Sequence, residues 1–197
     1  MKLLEKHFEI ALETPDGITR LRELILKLAM QGKLVPQNLK EQPAHELLEE
    51  IEKEKEKLIN NKLIKKQSPL SKLTNNEIPF SIPENWKWVK LNTFLDVRDG
   101  THDTPKYVDS GFPLITSKNL YSGKLTFDNV KHISELDHYK ISERSKVDKE
   151  DILFAMIGSI GNPVLVDTDV DFSIKNVALI KYFNKKKNTM FILYFII

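Results

Sequence analysis

The chain has 197 residues and a formal net charge of +2, from 30 basic and 28 acidic residues; 41% of it is hydrophobic and 29% charged, which suits a packed core and excludes a disordered tail. It contains no cysteine, seven glycines and nine prolines, excluding a disulfide scaffold, cysteine-ligated zinc or iron–sulfur sites, thiol catalysis and collagen-like architecture. Lys2, Glu5 and Lys6 stand where a signal peptide needs apolar residues, and the longest apolar run, 190–197, is far short of the roughly 20 residues of a membrane helix. The expectation is a cytoplasmic chain, in a reducing compartment, that does not enter a membrane.

Residues 2–13 predict a short helix with Leu3, Leu4, Phe8 and Leu12 on one side. Asp16 then stands as the cap of a helix whose apolar positions, Ile18, Leu21, Leu24, Ile25 and Leu28, recur at the spacing of one buried face. Packing within the chain and docking to another subunit both suit that face. Gly32 falls where a left-handed C-cap belongs, and Pro36 blocks continuation. A second helix is expected from Pro43, a favoured first helical position, through Leu47, Leu48, Ile51 and Leu58 toward Leu63. Its middle, 52–57, alternates Glu and Lys, which reads as a solvated face or as one strand of a coiled coil.

Residues 67–77 are a linker by composition. Beyond it, Trp86 and Trp88 with Lys87 and Lys90 predict a half-buried strand or entry segment, the tryptophans serving as core anchors. Short β-like runs follow at 112–117, 124–130, 152–157, 163–166 and 176–183, separated by Gly and Asp/Asn turns. Gly158, Gly161 and Pro163 read as a tight turn. The organisation expected is α+β: a helical segment 1–66, a linker 67–77, and a compact mixed α/β domain 78–197. The apolar end, without cap or polar tail, is expected to be an element cut short, so that the chain is a fragment.

Catalytic signatures are missing. Gly158-Ser-Ile-Gly161 lacks the lysine of a phosphate loop. The five histidines are scattered, with His132 and His138 read as surface residues. Asn162-Pro163 is followed by Val164 and Leu165, not by the proline and aromatic that hold a flipped adenine in methyltransferases. No catalytic residue, metal ligand or cofactor is assigned to this chain.

Three stretches stand out together. The first is Ile18-Thr-Arg-Leu-Arg-Glu-Leu-Ile-Leu-Lys-Leu-Ala-Met-Gln-Gly-Lys-Leu-Val-Pro-Gln37, with the helix over 43–66 behind it. The second runs from Ile78-Pro to Trp86-Lys-Trp-Val-Lys-Leu91. The third joins Asp99-Gly-Thr-His-Asp-Thr-Pro105, Pro113-Leu-Ile-Thr-Ser-Lys-Asn-Leu120, Asp151-Ile-Leu-Phe-Ala-Met-Ile-Gly-Ser-Ile-Gly-Asn-Pro163 and Ser173-Ile-Lys-Asn-Val-Ala-Leu179. In this order they resemble the leader, the entry and the body of a target-recognition domain in specificity (S) subunits of type I restriction–modification systems. A full-length member has two such domains and long trailing helices; one domain, incomplete at its far end, is visible here.

The resemblance implies a non-catalytic subunit that reads double-stranded DNA. Methyltransferase (M) subunits would methylate adenine and restriction (R) subunits would cut, with S-adenosylmethionine, ATP and Mg on those partners. The polar loops carry groups suited to base edges: Thr101, His102, Thr104 and Lys106; Thr116, Ser117, Lys118 and Asn119; and Lys175 and Asn176 beside Ser173. Asn119 and Asn176 suit backbone satisfaction equally, and Lys118 and Lys175 suit plain solvation. Leu21, Leu24, Ile25 and Leu28 are the candidate partner-binding positions. A half-length subunit that pairs with a second copy, and a stand-alone DNA-modifying enzyme, are the alternatives.

Overall fold

A computed structural model describes residues 8, 13–38, 40–121, 123–158, 160–183 and 192. The helix expected over 2–13 and the apolar end 190–197 lie almost wholly outside these residues. The chain divides into two compact units, Met1–Lys90 and Leu91–Ile197, so residues 78–90 go with the first.

In the first unit, helix α1 spans Gly17–Met30. Asp16 stands at its N-cap but makes no side-chain cap. An N-cap carboxylate works from extended backbone, whereas Asp16 is left-handed, with φ 62°. The other end behaves as expected. Gly32, at φ 65°, donates to the Ala29 carbonyl, and Lys33 donates to that of Leu28, the paired bonds that close a helix on a left-handed residue. A side chain at 32 would also strike Pro83, whose Cγ lies 2.5 Å from an added Cβ. The apolar stripe expected to be buried is only half covered: Ile18 is 56% and Leu24 37% exposed, and Leu21, Ile25 and Leu28 are intermediate.

Helix α2 spans Ala44–Asn60. Pro43 is its extended N-cap rather than its first helical residue, and the Ala44 amide bonds the Asn85 carbonyl at 2.9 Å. The helix stops short of Leu63, with Lys62 left-handed and Leu63 donating to the Leu58 carbonyl. Glu52, Lys53, Glu56 and Lys57 are exposed while Ile51 is buried. No strand forms at 86–91. Trp88 instead packs edge-on against Phe80 with centroids 5.0 Å apart, and its Nε1 donates to the Phe80 carbonyl.

The second unit runs α3 (Leu91–Phe94), β1 (Leu95–Asp99), β2 (Tyr107–Val108), β3 (Phe112–Ile115), β4 (Lys131–Ile133), α4 (Glu135–Ser145), β5 (Ile152–Ala155), β6 (Gly161–Leu165), β7 (Ser173–Ile174) and β8 (Val177–Tyr182). One sheet, ordered β1-β8-β5-β6, is antiparallel throughout; the other, β2-β4-β3-β7, is mixed, with β3 and β7 parallel. The architecture is α+β. Side chains alternate across each strand. Leu153, Ala155, Val177 and Leu179 therefore enter a core with Ile115, Leu120, Phe172 and Ile174, whereas Ile152 and Ile180 pack with Leu95 on the opposite face. Pro163 is buried in β6, an edge strand where a missing N–H breaks no ladder. The run 124–130 is a loop, although Leu125, Phe127 and Val130 still pack against the core.

Helix α4 is not expected from periodicity. It rests on a cap, the Ser134 hydroxyl accepting from the Asp137 amide at 3.1 Å, and leaves Leu136 79% exposed. It carries a correction as well. His138 is buried, stacked on Phe112 at 3.9 Å with its Nδ1 2.9 Å from Ser173 Oγ. Burial pushes its ring below the ordinary histidine value.

Candidate nucleic-acid interface

The antiparallel register sets the geometry of the site. Asp99 at the end of β1 faces Ala178, and Ala155 at the end of β5 faces Val177, so the loop after β1 leaves the sheet where the loop before β8 enters it. Gly100 begins the first loop. Its amide bonds the Val177 carbonyl, and a Cβ there would lie 2.6 Å from the Ile174 carbonyl oxygen, an approach that only glycine permits. Thr101 donates to the Ile174 carbonyl and Asn176 donates to that of Thr101, both at 3.0 Å. The Lys175 amide bonds the Ile115 carbonyl at 2.8 Å, so the two loops are tied to both sheets.

Side chains continue the weave. Lys175 Nζ donates to the His102 carbonyl at 3.2 Å and to Thr104 Oγ1. His102 Nδ1 lies 3.0 Å from Asn176 Oδ1. Asn176 holds φ 54°, a left-handed turn that asparagine tolerates better than most residues. At the root of the first loop, Arg144 from α4 donates to the Asp99 carbonyl through Nε and Nη2 and to the Gly100 carbonyl through Nη2, at 3.1–3.2 Å. Five of the candidate readers, Thr101, His102, Thr104, Lys175 and Asn176, thus form one cross-tied surface, and His102 and Thr104 are exposed.

The remaining candidates stand differently. Thr116 immediately follows Ile115, and Lys118 is exposed on the 3-10 turn Ser117–Asn119. Ser117 is half-buried and Lys106 is exposed just before β2. Asn119 is corrected from reader to structural residue. It is buried; its Oδ1 accepts from the Thr116 amide and hydroxyl, and its Nδ2 donates to the Asp128 carbonyl. Its polar groups are used inside the fold. Sequence reasoning missed Arg144, which acts from a helix without an apolar stripe and 44–45 residues away from the carbonyls it holds. It had a signal for Gly100 only as a turn.

Among the described residues, no three His, Asp or Glu side chains gather to hold a metal, and no helix is long and apolar enough to cross a membrane. No known family profile matches the chain. The specificity subunit of the type I restriction enzyme EcoAI from Escherichia coli is 34% identical over 150 residues, 73% of this chain and 26% of that protein. The EcoEI specificity subunit from the same organism is 51% identical over 81 residues, 41% of this chain and 14% of that protein. A solved HsdS subunit from Thermoanaerobacter tengcongensis aligns over 92% of this chain and 40% of that chain, at 14% identity and a TM-score of 0.44. The class these sequence matches define is the specificity subunit of type I restriction enzymes. This chain belongs to that family and spans less than a third of the length of the curated relatives it matches.

Proposed function

We propose that the chain is a sequence-reading part of a type I specificity subunit. In this reading it addresses double-stranded DNA and performs no bond chemistry. M and R subunits methylate adenine and cut, and hold the S-adenosylmethionine, ATP and Mg that those steps use. The observation that carries the reading is the cross-tied surface of residues 101–104 and 175–176, in a chain whose curated relatives are specificity subunits. Base readout asks for a few donors and acceptors on rigidly held loops, while contacts to phosphate supply most of the non-specific affinity. Two sheets, one αL asparagine and one lysine strap provide such rigidity. The half-exposed Leu21, Leu24, Ile25 and Leu28 of α1 suit docking to an M subunit.

The test exchanges residues 101–106 and 175–176 for those of a specificity subunit with a different target. The exchanged chain is assembled with M subunits and the methylated sites are mapped by sequencing. A changed motif is the expected result. An unchanged motif rejects the reading, as would methyl transfer by the purified chain alone.

A further inference from the structure

The contact between His102 and Asn176 joins residues 74 positions apart and constrains more than the position of the ring. A carboxamide oxygen accepts and never donates. A hydrogen bond between Asn176 Oδ1 and Nδ1, 3.0 Å apart, requires the ring proton on Nδ1, the tautomer that leaves Nε2 as a bare acceptor. His102 is exposed, and its backbone carbonyl is held by Lys175 Nζ, so main chain and ring are both fixed from the loop before β8. Asn176 is itself fixed, its amide on the Thr101 carbonyl and its backbone left-handed. In the major groove the hydrogen-bond donors that such an acceptor can meet are the exocyclic amino groups, N6 of adenine and N4 of cytosine.

We infer that His102 is a specificity-determining residue that accepts, at Nε2, a hydrogen bond from the amino group of an adenine or a cytosine in the target, and that Asn176 is the positioning residue that sets its tautomer. The inference rests on the DNA-reading function proposed above. Lys175 straps the loop, with two of its three Nζ donors on the His102 carbonyl and Thr104 Oγ1.

The experiment uses the chain assembled with its M subunits, with the methylated motif mapped by sequencing and affinity measured on synthetic duplexes. His102→Ala relaxes the motif at one base pair, other than the methylated adenine, by roughly 2- to 12-fold, the range of one neutral hydrogen bond. Asn176→Gly, which keeps the left-handed backbone and removes the acceptor, relaxes the same position. The double variant is no worse than either single one. At that position, replacing adenine by purine or cytosine by 2-pyrimidinone, each lacking the amino group, weakens the unsubstituted complex and leaves the His102→Ala complex unaffected; which analogue acts identifies the base. Sensitivity to 7-deazapurine instead would make the ring a donor and overturn the inference, as would an unchanged motif in His102→Ala. If the loop exchange alters the motif but these arms fail, the DNA-reading function stands and this assignment alone falls. If the loop exchange alters nothing, the function itself falls.

Discussion

Asn119 shows how a single side chain can support a loop from inside the fold. Its carboxamide accepts two hydrogen bonds from Thr116 and gives one to Asp128, and it is 6% exposed. Asn119→Ala leaves those partners unsatisfied, with an expected loss of about 1–3 kcal/mol, read as a lower urea midpoint. The base preference of an assembled complex should be unchanged by it. His138 offers a pH-dependent counterpart. Because burial depresses its ring below the histidine value of the unfolded chain, the unfolded state takes up a proton first as pH falls. Stability contributed by the neutral ring is complete above about 6.5 and declines below it, until the native ring also protonates. Denaturant midpoints measured between pH 7.5 and 5.5 should fall in the parent chain and fall less in His138→Gln.

At the scale of elements, legibility followed local chemistry. α1 and α2 carry 3.6-residue periodicity and clear stop signals, so their existence was readable, and Gly32 marked one end to the residue. Their caps were not, since the backbone of Asp16 and the N-cap role of Pro43 depend on how the chain enters each helix. β3, β5, β6 and β8 are short apolar runs and were readable; the two-residue strands β2 and β7 exist only through pairing with β4 and β3. β1 carries a buried Asp96 that its sequence does not announce: it pairs at 2.6 Å with the half-buried Arg98. The candidate site was legible as three polar loops, whereas the side-chain bonds that bring two of them together span 71–74 residues, and the bonds that internalise Asn119 are local but depend on how the turn after β3 folds back on Asp128. The partly exposed stripe of α1 leads to a separable prediction. Leu24→Asp, at a position 37% exposed, should shift the chain's own unfolding midpoint by less than about 1 kcal/mol while abolishing co-elution with an M subunit in gel filtration.

Across the whole molecule, charge is spread without excess. Residues 1–90 hold 16 basic and 14 acidic side chains, and 91–197 hold 14 of each. Counterion release, which drives non-specific affinity, therefore has little to draw on in the unit that carries the candidate readers. The chain alone should bind random duplex no tighter than about 10⁻⁴ M at physiological salt, and the assembled complex much tighter with a steeper salt dependence. Fluorescence anisotropy across a salt titration checks both.

The pairing of residues 101–102 with 174–176 also has a temporal side. A ribosome that has released the first 160 residues has made all of the 101–106 segment, β1 and α4, but neither β7, β8 nor the 175–176 loop that cross-ties it. Strand partners this distant close late, after the entropy of the intervening chain has been spent. In the proposed function, a nascent chain at that stage could not yet read DNA, because its cross-tied surface forms only once β7 and β8 have been synthesised.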